Sequence, residues 1–289
     1  MQESELFPAF RRWVRDSGFI DKGKGNLAAK LPRILGQGMT RAKGLDLPPA
    51  PIERKIEFAS LQFPNDFPAP PEVLQEQKTA SEELEKLKTE MMREEFRRKL
   101  AVEVLEQVPE PRGTKDGKFY SAGVILQPSK SGLDWAWSIT PHYPIIEKLP
   151  PDAAYIVAAY HAAKTEMKNL ALEPHDFQKR LELAWFIARQ FSDTDSVFIT
   201  DVMKMFNVAG QSNKFWQSPQ RQNFRDLPEA AFVINLIHWR SHADPGASNF
   251  DIVPATLNQT RGRDAKVFYL PMNSEGTDVR PMVYMRRRS

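Results

Sequence analysis

Residues 150–170 read PPDAAYIVAAYHAAKTEMKNL, and apolar side chains recur along them at steps of three and four. This spacing places the apolar residues on one stripe of an α-helix, where they can be buried together. The stripe consists of Ile156, Tyr160, Ala163, Met167 and Leu170. Pro151 suits the first turn of a helix, because no N–H donor is needed there. The stretch therefore predicts a helix with one buried face.

Three further helices are predicted downstream of this one. Helical spacing resumes after the break at Glu173-Pro174. A third helix is expected to begin at Thr200-Asp201 and to end near Gly210, and a fourth to begin at Pro228-Glu229. Four helices of this kind predict a central multi-helix bundle.

Two β-hairpins are predicted, one on each side of the helices. Residues 119–126 are rich in apolar and aromatic side chains, and residues 133–139 alternate strictly between apolar and polar types. The second pair is expected from residues 266–270 and 279–285. The predicted fold class is α+β, a central multi-helix bundle flanked by two antiparallel β-hairpins. The hairpins are expected to meet in one sheet, or otherwise to cap the two ends of the helices.

The N-terminal part of the chain shows no sustained period. Gly and Pro are frequent from residue 18 to residue 71, whereas the amphipathic spacing of residues 4–16 predicts a short helix. Residues 11–44 contain nine Lys or Arg against two acidic residues. We therefore expect residues 1–71 to form an extended basic arm that orders on a polyanionic partner. A mitochondrial transit segment is the alternative.

A long charged helix is predicted for residues 72–110. Pro70-Pro71 precede it and Pro109 closes it, while Glu94-Glu95 interrupt the heptad spacing, so a long coiled coil is not indicated. The rest of the chain, residues 111–289, is the predicted α+β globular domain.

The composition is that of a globular intracellular protein. The chain has 289 residues, 41% of them hydrophobic, and a formal net charge of +3. The absence of Cys excludes disulfides, thiolate metal sites and Cys nucleophiles. It also fits a reducing compartment, which is the cytoplasm, the nucleoid or the mitochondrial matrix. No apolar run reaches the roughly 18 residues that span a bilayer, so no membrane partner is expected.

The strongest recognition signal lies at residues 200–226. A short helix, a turn at residues 209–212 and a polar stretch follow one another, which resembles a helix-turn-helix in outline. Pro219 is the feature that disagrees with a second helix. The cationic, amide and aromatic side chains of this stretch suit contacts to phosphates and bases. Together with the basic arm they give the predicted nucleic-acid-binding set: Arg11, Arg12, Arg15, Lys22, Lys24, Lys214, Trp216, Gln220, Arg221, Asn223 and Arg225.

Patterns for catalysis are weaker. His238 and His242 are four residues apart, but Trp239 stands where the metalloprotease pattern needs Glu. Pro151-Asp152 with Glu166-Met167-Lys168 spells a nuclease-like sequence, yet its Glu and Lys fall inside the helical spacing. No metal and no cofactor is therefore expected.

These observations predict a non-catalytic, nucleic-acid-associated or assembly subunit of a larger nucleoprotein complex. It would bind DNA or RNA through the basic arm and the helix-turn-helix-like segment. One alternative is a metal-dependent hydrolase or nuclease. The other is a protein–protein scaffold that binds no nucleic acid.

Overall fold

The chain folds into two compact units of mixed helix and sheet. The computed structural model describes residues 6–17, 26–63, 65, 68–113, 118–129, 133–242, 249–261, 266–273 and 278–288. These residues form ten α-helices, a short 3₁₀ helix and two antiparallel sheets, which confirms the α+β class. Unit 1 consists of Met1–Phe119, Leu126–Trp137 and Ile146–Ala162. Unit 2 consists of Tyr120–Ile125, Ser138–Ile145 and Ala163–Ser289.

Five helices lie in the N-terminal part of unit 1. They are α1 (Pro8–Asp16), α2 (Asn26–Ile34), α3 (Pro51–Ala59), α4 (Pro71–Met91) and α5 (Glu94–Leu105). The first four surround a shared apolar core that contains Phe7, Phe10, Val14, Leu31, Ile34, Phe58, Leu61, Val73 and Ala80. The ring of Phe58 lies 4.3 Å from that of Phe7 and 4.9 Å from that of Phe10, between centroids. The described residues of this region are thus part of a folded core.

The predicted extended arm is therefore wrong for the described part of residues 1–71. Each of α1, α2 and α3 is nine residues long. A helical period is recognised over a window of about 11–18 residues, so α2 and α3 leave no clear pattern, whereas α1 lies within the amphipathic stretch of residues 4–16. In addition, Pro8 and Pro51 occupy first-turn positions, where proline starts a helix and does not break one.

The predicted long helix of residues 72–110 is also wrong, because it is two helices. α4 ends at Met91, and Arg93 has an extended backbone (φ −70°, ψ 136°) as the N-cap of α5. Glu94 and Glu95, which interrupt the heptad spacing, lie in the first turn of α5. Acidic side chains stabilise that end of a helix, so these two residues mark a helix start.

The first sheet has five strands in the order β1-β2-β3-β4-β5. The strands are β1 (Pro111–Gly113), β2 (Phe119–Ser121), β3 (Val124–Pro128), β4 (Trp135–Thr140) and β5 (Tyr143–Leu149). β3 and β4 are neighbours, as in the first predicted hairpin, but a turn at residues 122–123 divides the predicted strand of residues 119–126 into β2 and β3. Trp135, Trp137 and Ile139 on β4 are all buried, as their alternation predicts.

The second sheet has the order β6-β9-β7, with β8 paired to β9. Its strands are β6 (Ser196–Phe198), β7 (Phe250–Pro254), β8 (Phe268–Pro271) and β9 (Val279–Arg287). β8 and β9 are antiparallel, with Phe268 opposite Met282, which confirms the second predicted hairpin. The expectation that the two hairpins meet in one sheet is wrong, since each hairpin recruits further strands to a sheet of its own.

The four predicted helices of the centre are present. They are α6 (Ala153–Leu170), α7 (Pro174–Arg189), α8 (Ile199–Ala209) and α10 (Glu229–His242), with the short α9 (Asn213–Gln217) before the last of them. In unit 2, the rings of Phe177, Phe206 and Phe232 contact one another at centroid distances of 5.2–6.2 Å. Phe232 also contacts Phe268 at 5.5 Å, so α7, α8 and α10 share a core with the second sheet.

Candidate nucleic-acid interface

A cationic loop, residues 211–226, connects α8 to α10 in unit 2. Ser212 is the N-cap of α9, and its hydroxyl accepts a hydrogen bond from the backbone N–H of Phe215 (3.4 Å). α9 has only five residues, and a 3₁₀ turn at Arg221–Asn223 follows it. At 1.5 Å per residue, α9 is about 7.5 Å long. The predicted helix-turn-helix is therefore wrong, because Pro219 and its neighbours leave no recognition helix.

Gln211 holds the two ends of the cationic loop together. Its side-chain amide donates to the carbonyl oxygens of Asn207 and Arg225, both at 2.8 Å. Its amide oxygen accepts from the backbone N–H of Arg225, also at 2.8 Å. Gln211 is buried, so these bonds are shielded from water. The cationic loop thus has a fixed base although most of its side chains are exposed.

Three exposed cations project from the cationic loop: Lys214, Arg221 and Arg225. None of them forms an ion pair with any residue that the structure describes. Residues 211–225 contain no Asp or Glu. Asp226, which follows, accepts a hydrogen bond from the side chain of Asn207 (2.8 Å). The cationic loop therefore carries local positive charge that no described carboxylate neutralises.

An aromatic cluster accompanies these cations. The ring of Phe215 lies 5.3 Å from that of Trp216 and 5.5 Å from that of Phe224, in edge-on arrangements. Trp216 is 55% exposed, which is unusual for so large an apolar side chain. Its indole gives a nucleobase a surface on which to stack.

Arg180, on α7, lies beside the start of the cationic loop. Its Nε donates to the carbonyl oxygen of Phe206 (2.9 Å), and its guanidinium carbon lies 4.1 Å from the centroid of the Phe206 ring. Its Nη2 is buried and has no hydrogen-bond partner among the described residues. Burial first, and then the charge of Arg225, lower the pKa of Arg180 to about 10, so the group is still protonated at neutral pH.

Gly210 makes room for this arginine. A Cβ atom at residue 210 would lie 1.5 Å from Nη2 of Arg180, so only glycine fits while the guanidinium keeps its place. Arg180 was not predicted from the sequence, since its spacing on α7 resembles that of any polar surface residue. Its environment is made by Phe206 and Gly210, which are distant in sequence.

The six predicted residues of the loop therefore lie on one segment, but not all are free for a ligand. The side-chain amide of Asn223 donates to the carbonyl oxygen of Ser218 (2.8 Å). The side-chain oxygen of Gln220 accepts from Gln222 (2.7 Å). The remaining four, Lys214, Trp216, Arg221 and Arg225, are exposed.

The predicted binding residues of the arm belong to unit 1 and are placed differently. Arg11 donates to the carbonyl oxygens of Leu6 (2.9 Å) and Leu35 (3.0 Å), which makes it a structural residue. Arg15 pairs with Asp16 at 3.0 Å, and Arg12 is exposed. Lys22 and Lys24 lie outside the described residues.

The residues considered for a hydrolase or nuclease site lie outside the cationic loop. Glu166 and Lys168 both lie on α6, as their helical spacing indicated, and Asp152 accepts a hydrogen bond from the backbone of Ala154 (3.0 Å). Asp251, which lies near His238 and His242 in the sequence, pairs with Arg288 at 2.7 Å. Within the described residues, no three His, Cys, Asp or Glu side chains are grouped as metal ligands would be. The side chain of His242 lies outside the described part.

Comparisons with models of protein families, with curated proteins and with solved structures found no match for this chain. None of the described helices combines the length and the apolar character that crossing a membrane requires.

Proposed function

We propose that the chain is a non-catalytic nucleic-acid-binding subunit of a larger assembly, and that the cationic loop is its contact surface. The observation that carries this proposal is the set of exposed cations Lys214, Arg221 and Arg225 next to the exposed indole of Trp216. Cations without a carboxylate partner contribute most to the free energy of binding a phosphate, because no ion pair has to be broken first. The buried guanidinium of Arg180 adds positive potential beside them.

The shape of the cationic loop favours single-stranded or looped nucleic acid over a duplex. Reading bases in a major groove requires a helix that reaches into it, and α9 is too short for that. Phosphate contacts combined with stacking on an aromatic ring are typical of single-strand binding and depend little on sequence. We therefore infer weak base preference and strong salt dependence.

The assembly part of the proposal rests on the C-terminal end of α7. Leu183 is 49% exposed, Phe186 is 59% exposed, and Phe191 just beyond the helix is 82% exposed. Large apolar side chains exposed close together in sequence are typical of protein–protein contacts when they form one patch. The full-length chain purified from its own cells should retain a protein partner that a Phe186→Ser, Phe191→Ser variant loses. Equal retention by both proteins would contradict this part of the proposal.

The nucleic-acid part is tested by fluorescence anisotropy with labelled oligonucleotides of about 20 nucleotides, as single strands of DNA and RNA and as a duplex. Binding should be tightest for a single strand and should weaken linearly as the logarithm of salt concentration rises. The Arg221→Ala, Arg225→Ala variant loses two phosphate contacts. The slope of log affinity against log salt should therefore fall in magnitude by about 1.4 for a single strand.

The matched control is the Lys204→Ala, Arg280→Ala variant, which loses the same charge from the same unit. Both control residues are exposed, but each pairs with an aspartate, Lys204 with Asp201 (3.3 Å) and Arg280 with Asp278 (3.1 Å). Their removal should change the slope much less. Equal changes of the slope in the two variants would show that net charge alone determines the salt dependence of binding. No binding by the intact protein at low salt would overturn the nucleic-acid proposal and leave the scaffold as the function.

A further inference from the structure

A cavity of about 410 Å³ lies within unit 2, lined by side chains of α6 and α10 and by residues near β4 and β8. Its apolar wall includes Ile139, Met167, Ile234 and Ile237. A volume of this size is within the range of small-molecule sites in proteins, which are mostly apolar with a few polar groups that fix orientation. The cationic loop contributes none of the lining residues.

The polar groups of the cavity are cationic or neutral. Lys164 and Lys168 lie one turn apart on α6, and both line the cavity. His238 and Ser241 line it from α10, and no Asp or Glu is among the lining residues that the structure describes. A ligand that complements this lining has an apolar body and one anionic group.

The two lysines are placed differently. The ammonium group of Lys164 donates to the carbonyl oxygen of Ala122 (2.8 Å), which holds it at the cavity wall. Lys168 is exposed and forms no ion pair with any described residue. Lys168 is thus the group that can approach an incoming anion, while Lys164 contributes fixed positive charge beside it.

We propose that this cavity binds a small carboxylate with an apolar body, such as a medium-chain alkyl or an aryl carboxylate. The alkyl or aryl group would lie against Met167, Ile234 and Ile237, and the carboxylate would lie at Lys168. A lysine ammonium is a point charge that pairs well with a single carboxylate without needing a planar partner. The proposal is independent of the nucleic-acid function, because the lining residues and the cationic loop are separate sets.

The experiment uses the full chain and the fluorescent anion anilinonaphthalene sulfonate, followed by displacement with octanoate. The probe should bind with enhanced fluorescence, and octanoate should displace it. Lys168→Gln should weaken the binding of both anions roughly ten-fold, because each anion loses one hydrogen bond to a charged group. Lys179→Gln, which removes an exposed lysine outside the cavity, should leave the affinity unchanged.

A neutral probe, phenyl naphthylamine, separates the apolar contribution from the ionic one. Its binding should be the same in the Lys168→Gln protein as in the unmodified chain. Ala171→Trp, at an exposed lining position, should block the cavity and abolish binding of the anionic and the neutral probe together. Circular dichroism checks that each variant is folded. Anion binding that Lys168→Gln leaves unchanged, or that octanoate does not displace, would overturn the proposal, as would the absence of probe binding.

Discussion

In the N-terminal region, three cationic side chains pair with one carboxylate of the protein itself, whereas in the cationic loop none forms an ion pair with a described residue. Arg33 and Arg41 donate to the carboxylate of Glu57 at 2.8 and 3.0 Å, and Lys30 approaches it at 3.6 Å. Lys214, Arg221 and Arg225 have no such acceptor. Both regions are rich in positive charge, so the charge of a segment does not reveal which cations are available to a partner. Pairing with nearby carboxylates decides that.

Glu57 is the shared acceptor of the ion pairs in the N-terminal region. Its side chain is only 7% exposed, yet it is ionised. Burial alone would raise the pKa of Glu57, but the hydrogen bonds and charges of Arg33 and Arg41 outweigh burial and lower it. Arg33 and Arg41, which contribute to the basic charge of residues 11–44, thus neutralise a carboxylate inside unit 1.

The largest effect is expected from Glu57→Ala. The substitution leaves three cations without their carboxylate, so the free energy of unfolding should fall by about 3–5 kcal/mol. Urea denaturation followed by circular dichroism measures this change. Glu103→Ala, at an exposed position without an ion pair in the described chain, should change it by less than about 0.5 kcal/mol. A similarly small effect of Glu57→Ala would show that the N-terminal charges are not paired in solution.

Gly210→Ala tests whether Arg180 occupies its buried place beside the cationic loop. The new methyl group would overlap the guanidinium, which must leave its contact with Phe206. The side chain of Arg180 is flexible enough to move, so the expected loss of stability is about 1–2 kcal/mol, the value of its hydrogen bond to the carbonyl oxygen of Phe206. Gly113→Ala is the control, because an added Cβ there meets no atom within 4 Å. Equal stability of the two variants would place Arg180 elsewhere.

Arg11→Ala and Arg12→Ala form a matched pair in helix α1. Arg11 donates to two backbone carbonyl oxygens, so its removal should cost about 1–2 kcal/mol of stability. Arg12 is exposed, and its removal should cost less than about 0.5 kcal/mol. Neither substitution should change the salt slope of oligonucleotide binding as much as Arg221→Ala with Arg225→Ala does. A dominant effect of Arg12→Ala on that slope would restore the arm as the main contact.

The smallest effect concerns pH. Since the pKa of Glu57 is lower in the folded chain than its ordinary value of 4.5, its ionisation stabilises the fold fully above that value. This contribution is lost as the pH falls below 4.5 toward the folded pKa. The midpoint temperature of thermal unfolding should therefore fall more steeply on acidification for the intact protein than for the Glu57→Gln variant. Parallel declines would contradict the lowered pKa.

The sequence predicted those elements that are long enough to show a period. α6, α7, α8 and α10 are found where apolar spacing placed them, and the pairs β3–β4 and β8–β9 follow from their runs of strand-forming residues. α1 lies within the amphipathic stretch of residues 4–16, as predicted, but the short helices α2 and α3 were missed, because their apolar residues meet those of other helices in space. A pattern within one segment cannot show a core that four segments share.

The candidate site was predicted in composition but not in shape. The side chains of Lys214, Trp216, Arg221 and Arg225 were identified by their chemistry. Arg180 was not, because its role depends on a glycine and a phenylalanine that only the fold brings beside it. The helix-turn-helix outline was wrong, since the amide-rich stretch after Ser212 forms one turn of helix and then a 3₁₀ turn.

The hydrogen bonds of Gln211 also join the two ends of the cationic loop, so that the chain between them is a closed loop. Its two ends stay together whatever lies between them, and doubling the length of a flexible loop costs only about 0.6 kcal/mol. Residues 213–224 can therefore gain or lose several positions while α8 and α10 stay where they are. Insertions and deletions would then alter which ligand the loop accepts without disturbing the framework that carries it.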